Sequence, residues 1–419
     1  MIIKTEEIPE NVEKDSILEI TSTKVNYFTH GFFKYPCKFI AQIPRWAILK
    51  YTKRGQLVLD PFAGSGTTLV EAILNDRNGL SVDFDNLSQL LCKTKTTLLS
   101  EKQIKILKKI VSTLFSAPQK KISFTPDLHN INHWFPKENI DNLLILKSNI
   151  ESIFNDVKDE DIYNFLLVCF ASIIKKCSYT DNTSPKPYVS SRIKKQPQAV
   201  KTAFHKAFDT YIKNVEEYLS YKAGHCRILS DDARNINAPK FEGKVDLAIT
   251  SPPYINAFDY VRSLRLENSW LGYYGDSNIT EIKKKQVGTE TVPSKIYSNE
   301  IAKTYIAKLD EVIKKIYKKD KKRAYIVWKF FEDMRKSFKE VNKLLKKDAH
   351  YIVVVGNSKI RGFDVPTHEL LIEIAEDSGY KLENIFSYVI KNRYLRIPRS
   401  GRGGFIANDW VIDLQKSNG

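Results

Sequence analysis

The residues of this chain whose types and spacing could do chemistry together begin at the end of an apolar run. VDLAIT at 245–250 closes on Ser251, Pro252, Pro253 and Tyr254. Neither proline has an N–H to give an inner strand, so the strand must stop there in a rigid bend. The Ser251 hydroxyl, the Pro252 carbonyl and the Tyr254 ring then project together from the carboxyl end of a strand, where open α/β sheets bind their ligands. The result is a small clamp of two oxygen acceptors and one aromatic face. An ordinary strand exit through a Pro-Pro turn would read the same way, so the clamp takes its meaning from its company.

That company lies about 190 residues upstream. QLVLDP at 56–61 reads as a buried strand, and FAGSGTT at 62–68 as a glycine-rich turn into a helix over 69–75. Gly64 and Gly66 let the backbone approach a ligand closely, and the helix start beyond them offers free N–H groups to an anion. The third glycine of a dinucleotide fingerprint and the lysine of a P-loop are both missing, so a ligand with a carboxylate fits better than a dinucleotide or a triphosphate. GLSVDFD at 79–85 is a second short strand ending in acid. Asp83 stands close to the ~20 residues expected between such a turn and a ribose-binding carboxylate; Asp85 is its rival if the register slips by one turn of the pleat.

The elements that must position these groups follow from the rest of the chain. Four further strands are expected, one beginning at Cys226 and three at 351–355, 384–390 and 410–414. With helices between most of them, this predicts an α/β fold, a seven-stranded doubly wound, Rossmann-like sheet with an antiparallel final pair. Apolar residues at three- and four-residue spacing predict helices over 143–154, 163–174, 203–221, 330–345 and 368–378. Pro44 suits the first turn of a helix running through Trp46 and Ile48.

With 419 residues, the chain is long enough for two or three domains, or one domain with large insertions. Lys and Arg number 66 against 49 Asp and Glu, a net charge of +17, and the pI is near 9.3. That excess favours a polyanionic partner, nucleic acid above all. Its candidate contacts are Arg192, Lys194 and Lys195 in a loop rich in hydroxyls and aromatics, and Arg393, Arg396, Arg399 and Arg402 in a Gly- and Arg-rich loop. The basic run at 314–323 is a candidate phosphate patch, with a solvated helix face the ordinary reading of such a run. Five scattered cysteines, without C-x-x-C spacing, suggest neither disulfides nor a metal site. The first residues carry no apolar signal segment and no run approaches the ~18 apolar residues of a membrane span, so a soluble, cytoplasmic protein without membrane contact is expected.

With both motifs in view, the chain resembles the amino-group DNA methyltransferases that use S-adenosylmethionine. DPFAGSGTT and TSPPY carry the likeness, and HGFFKYPCKFIAQIP at 30–44 is similar to the family's methionine-side motif. Residues 29–95 and 225–415 are covered. The resemblance implies that 1–99 and 223–419 form one methyltransferase domain. It leaves 100–222 as a helical insertion domain for target recognition, with a second, polar and basic insertion at 273–323. It also implies roles: Asp60, Phe62, Gly64 and Gly66 as the floor of the cofactor pocket, Lys38 and Phe39 at its methionine end, Thr67 for the carboxylate, Asp83 for the ribose and Asp232 for the adenine amine. Ser251 and Pro252 would accept the hydrogens of the target amine, Pro253 would stiffen the turn, and Tyr254 would stack on a base flipped out of double-stranded DNA.

A Ser before the two prolines is, within the family, more usual for the N4 amine of cytosine, whereas Asp or Asn is more usual for the N6 amine of adenine. The expected activity is therefore methylation of cytosine N4 beside a cognate restriction endonuclease, with adenine N6 the alternative. An RNA base methyltransferase and a non-catalytic DNA-binding subunit of the same fold are the remaining readings. No Pro-Cys nucleophile for carbon-5 methylation is visible. The chain departs from the family in one respect: its large insertion falls between Asp83 and Asp232 and not directly before the clamp strand.

Overall fold

The computed structural model describes residues 2–22, 27–116, 124–181, 184, 186–192, 194–220, 224–255, 258–297, 301–390 and 408–417. In chain order its strands are β1 (Ile2–Thr5), β2 (Ile17–Ile20), β3 (Leu57–Asp60), β4 (Asn78–Val82), β5 (Cys226–Ser230), β6 (Val245–Thr250), β7 (Leu345–Gly356), β8 (Ser358–Ile360), β9 (Phe363–Val365), β10 (Tyr380–Val389) and β11 (Asn408–Lys416). All seven strands expected from the sequence form, inside a sheet of nine with the order β1-β2-β10-β11-β7-β6-β3-β4-β5. β11 runs antiparallel to both its neighbours, and the other pairings are parallel.

The count of seven is corrected at the start of the chain. β1 and β2 extend the sheet beyond β10, Ile17 and Leu18 lying opposite Ser387 and Tyr388. Each has four residues and only Leu18 and Ile20 are buried, too little periodicity to stand out from the polar leader around them. β8 and β9 form a separate hairpin after β7.

The sheet is covered on both faces because its central strands turn apolar residues to each of them. Ile352 and Val354 of β7 pack with Leu247 and Ile249 of β6 against helix α1 (Gln42–Tyr51) and Ala72 of helix α2 (Thr67–Leu74). Tyr351, Val353 and Val355 point the other way with Ala248. There they meet Phe330, Phe331 and Phe338 of α9 (Lys321–Leu344), Leu309 of α8 (Ala307–Lys319) and Leu371 of α10 (Thr367–Glu376). Pro44 sits in the first turn of α1, as expected.

The helical middle consists of α4 (Glu101–Thr113), α5 (Lys137–Val157), α6 (Glu160–Ile173) and α7 (Val200–Glu216). Their apolar stripes close into one cluster with Leu87, Leu90 and Leu91 of α3 (Asn86–Thr96), with Phe32 and Phe33, and with Trp270. Phe32 stacks on Tyr211 of α7 at 4.2 Å. The insertion thus shares its core with the segments that wall the site. In the basic run at 314–323 Lys315 pairs with Glu311 and Arg323 with Glu290, while Ile316 is buried beneath it.

Sheet order fixes where ligands go. From β3 the chain builds outward through β4 to β5, then returns to lay β6 on the opposite side of β3. A sheet whose winding reverses leaves a crevice at the carboxyl ends of the two strands flanking the reversal. Those ends carry DPFAGSGTT and TSPPY.

Candidate active site

Asp60, the last residue of β3, joins the two motifs. Its side chain is buried and accepts hydrogen bonds from the Phe62 N–H (3.0 Å), the Thr68 hydroxyl (2.6 Å) and the Thr250 hydroxyl (2.7 Å). The carboxyl therefore holds the start of the glycine loop, the first turn of α2 and the final residue of β6 in one frame. It lies beneath the pocket floor and does not face a ligand. Burial outweighs these three donors and pushes its pKa up to about 6.

Above it lies a pocket enclosing about 770 Å³, open solvent at its mouth included. Phe62, Gly64, Thr67 and Asp83 line it together with Lys38 and Phe39, and Ser251 and Pro253 complete the wall. One cavity thus brings together residues separated by more than two hundred positions of sequence. Gly64 and Gly66 have φ of +50° and +76°. An added Cβ would lie 3.3 Å from the Tyr35 ring at the first and from Cys92 at the second, so both glycines are demanded by conformation and by the packing behind them. Beyond Gly66 the N–H groups of the first turn of α2 open the helix.

Asp83 is half-buried in the pocket wall, its oxygens accepting from the N–H of Gly64 (2.7 Å) and of Asp85 (2.9 Å). Asp85 points away: it caps α3 through Ser88 and receives the Asn268 amide and the Tyr274 hydroxyl. The structure thus separates the two acids by role, Asp83 facing the pocket and Asp85 the core. Burial, then the Asp85 charge, push the Asp83 pKa up to about 7. A folded pKa above the unfolded value of ~4 means that the native state holds this proton more tightly, so the cost of Asp83 is absent below about pH 4 and complete above about pH 7. Asp83→Asn should accordingly gain in urea midpoint relative to the parent protein as pH rises from about 5 to 8. A difference that stays constant would mean that Asp83 is ionised throughout.

Asp232 lines the pocket, but both its oxygens are engaged by Arg234, at 2.8 and 2.9 Å, and that ion pair holds its carboxyl below the usual range. Asp231, exposed beside it, also lines the pocket. Ser251 is half-buried and has no side-chain hydrogen bond among the described residues, so its hydroxyl is available to a ligand. Pro252 is buried. The Tyr254 hydroxyl donates to Asp409 (2.8 Å), whose other oxygen receives the Tyr388 hydroxyl (3.0 Å). Tyr254 is therefore tethered by its hydroxyl.

Several of these groups escaped the sequence reading. Asp409 gives no signal in sequence because its partners are 155 and 21 positions away. Tyr260, Lys285 and Val287 also line the pocket, from a stretch read only as a helix and the start of a polar insertion. Buried Glu71 of α2 binds His30 (2.8 Å), Arg45 (3.1 Å) and Tyr27, fastening the 28–39 segment to the glycine-loop helix. Lys95 of α3 is fully buried, and here a signal existed: Leu87, Leu91 and Lys95 repeat every fourth residue on the core face.

The expected DNA contacts divide. Arg192 and Lys194 are exposed, whereas Lys195 is half-buried and donates to the Lys175 carbonyl. Lys175 in turn reaches the Ser263 carbonyl (2.7 Å) and Glu267 (3.2 Å), linking the end of α6 to the segment after the clamp. Arg393, Arg396, Arg399 and Arg402 lie outside the described residues. Among the described residues no His, Cys, Asp and Glu side chains are grouped to hold a metal, and no helix is long and apolar enough to cross a membrane.

Taken together, fold and pocket define a crevice at a winding reversal of an α/β sheet, walled by Asp83, the glycine turn and the Ser251–Pro253 strand exit. Comparison with known proteins narrows the class. A family model described as DNA methylase, of the N6/N4 methyltransferase type, matches residues 5–90. Similar over nearly the whole length is the Type II methyltransferase M.MvaI of Kocuria varians, 25% identical over 411 residues, covering 92% of this chain and 89% of that protein. The Type II methyltransferase M.BsoBI of Geobacillus stearothermophilus is 24% identical over 426 residues, covering 88% and 81%. Among solved structures, a SAM-dependent methyltransferase of Methanosarcina mazei aligns over 89% of this chain and 97% of its own at 9% identity and a TM-score of 0.32. The chain is thus similar to DNA methyltransferases, over residues 5–90 to the N6/N4 family model and over most of its length to Type II methyltransferases.

Proposed function

We propose that the protein transfers a methyl group from S-adenosylmethionine to the exocyclic N4 amine of cytosine in double-stranded DNA, beside a restriction endonuclease of the same specificity. The observation that carries this reading is the single pocket lined by Phe62, Gly64, Thr67 and Asp83 on one side and by Ser251 and Pro253 on the other. The residues fit such a cofactor. Asp83 suits ribose hydroxyls, Phe62 the adenine face, and the glycine turn with Thr67 the amino-acid end. The bound cofactor supplies an electrophilic sulfonium methyl.

The work of the chain's own residues is positioning. An exocyclic amine is a weak nucleophile because its lone pair is delocalised into the ring. The Ser251 hydroxyl and the Pro252 carbonyl, each accepting one amine hydrogen, favour a pyramidal nitrogen whose lone pair is localised and aimed into the pocket. Preorganised acceptors of this kind act without reorganisation at the moment of reaction. Flipping the base costs a few kcal/mol, about what stacking on an aromatic face returns; Tyr254, tethered to Asp409, offers that face in a fixed place. Serine before the two prolines favours cytosine as the base. The Type II names of the relatives support a role in restriction and modification.

The reading is tested by offering the purified protein radiolabelled S-adenosylmethionine with duplex DNA and, in parallel, with structured RNA of similar length. Label in DNA alone is expected; label in RNA alone, or in neither from correctly folded protein, would overturn it. Phe62→Ala should weaken cofactor binding about tenfold by calorimetry, through the loss of ~1–2 kcal/mol of buried aromatic contact.

A further inference from the structure

We propose that Lys95 and Lys38 together provide the counter-charge for the carboxylate at the amino-acid end of the cofactor, and that cofactor binding draws a proton onto Lys95. This rests on the S-adenosylmethionine reading given above and extends it to a residue outside the pocket lining.

The geometry is that of a cationic seat behind the glycine turn. Lys95 approaches from α3, fully buried, and donates to the Ser65 carbonyl at 2.7 Å. Lys38 lines the pocket and donates to the His30 carbonyl at 3.0 Å. Ser65 and Thr67, whose hydroxyls lie 3.3 Å apart, stand at the pocket surface in front of Lys95. Among the described residues neither lysine forms an ion pair with a carboxylate. A buried ammonium with no counter-ion is costly, and the ordinary response is loss of the proton. Burial, followed by the charge of Lys38, pushes Lys95 down to about 7, and burial pushes Lys38 down as well.

The groups around Lys95 supply no competing anion. Cys92, on its own helix, is kept protonated by burial. His30 is held neutral by burial, and Glu71 is committed to His30 and Arg45. Asp60 and Asp83 bear on Cys92, one turn back along α3. An arriving carboxylate would therefore be the first negative charge to face Lys95 through the Ser65–Thr67 turn. It favours the protonated amine and raises its pKa. Below about pH 7 Lys95 is already charged and nothing changes. Above about pH 7 binding must take up a proton, and affinity falls by up to tenfold per pH unit.

Asp83 titrates in the same range, so the test compares two ligands that share the nucleoside and differ in the amino-acid end, with its carboxylate and ammonium; the Lys95→Met variant separates the part that depends on this lysine. S-adenosylhomocysteine and 5′-methylthioadenosine are titrated calorimetrically into the full-length protein between pH 6.5 and 8, in buffers of different ionisation enthalpy. In the parent protein S-adenosylhomocysteine should take up up to one proton more than methylthioadenosine at pH 8. Its affinity advantage should shrink about tenfold from the lowest pH to the highest. Lys95→Met should abolish both differences. Lys38→Met, in the pocket wall and outside the packed core, is tolerable whether or not the first variant folds and should move the affinity fall to higher pH because it removes a neighbouring charge. Equal proton uptake by the two ligands in the parent protein, a difference that persists in Lys95→Met, or an unmoved profile in Lys38→Met would overturn the proposal. Failure of both ligands to bind would instead overturn the cofactor reading on which it rests.

Discussion

Ser251→Ala is expected to lower turnover by about 10²-fold or more while leaving cofactor affinity unchanged. The magnitude is that of removing one preorganised hydrogen-bonding group from a site where such groups do most of the catalysis. The expectation of selectivity comes from the surroundings of the residue. Below it, Thr250 is buried and bound to Asp60; beyond it, Pro252 is buried and Tyr254 is tethered to Asp409. The backbone at 251 is thus held from both sides, and the hydroxyl itself supports nothing else in the fold. Its loss should appear in single-turnover methyl transfer and leave the urea midpoint in place. Full turnover in the variant would remove Ser251 from the mechanism and leave the carbonyl of Pro252 as the sole acceptor.

The second large effect is expected at Asp60, and it is structural. Asp60→Ala leaves the Phe62 N–H and the hydroxyls of Thr68 and Thr250 without their acceptor. Each buried donor left unsatisfied costs ~1–3 kcal/mol, and since the three share one site their costs do not simply add, so a loss of about 3 kcal/mol is expected in urea unfolding. Cofactor affinity should fall with it, because the glycine turn and the clamp strand lose their common anchor. Asp60→Asn retains part of the acceptor set and should lose less. The pKa near 6 adds a signature. Because the folded value exceeds the unfolded one, the Asp60 contribution is most favourable below about pH 4 and erodes through about pH 6. The stability gap between parent and Asp60→Asn should therefore narrow as pH rises from 5 to 7.5. A gap that widens would mean that Asp60 is a stabilised carboxylate and not a buried one.

Most of the catalytic frame was legible in the sequence because it is built from local patterns. Apolar runs ending in acid or in Pro-Pro mark β3, β4 and β6, and the glycines at 64 and 66 announce a turn that only they can adopt. The doubly wound sheet then followed from alternation with helices. The groups that escaped are those whose role is defined across the fold. Asp409 matters because β11 enters the sheet beside β7, which places it under Tyr254. Glu71 matters because α2 packs against the 28–39 segment. Asp60 was read as pocket floor because it adjoins the glycine turn; its side chain proves to run sideways to Thr250, a neighbour across β3 and β6 that sequence distance hides. Asp232 was read as the partner of the adenine amine, and it does line the pocket; that Arg234, two residues on, binds both its oxygens could not be seen from the sequence.

The measurement that bears most directly on the central claim is the identity of the methylated nucleoside. Duplex DNA treated with the purified protein and S-adenosylmethionine, digested to nucleosides and resolved by mass spectrometry, should yield N4-methylcytosine. N6-methyladenine in its place would show that a serine clamp accepts adenine and would overturn the base assignment. No methylated nucleoside from correctly folded, cofactor-binding protein would contradict the account that Gly64, Asp83 and Ser251 serve one methyl transfer.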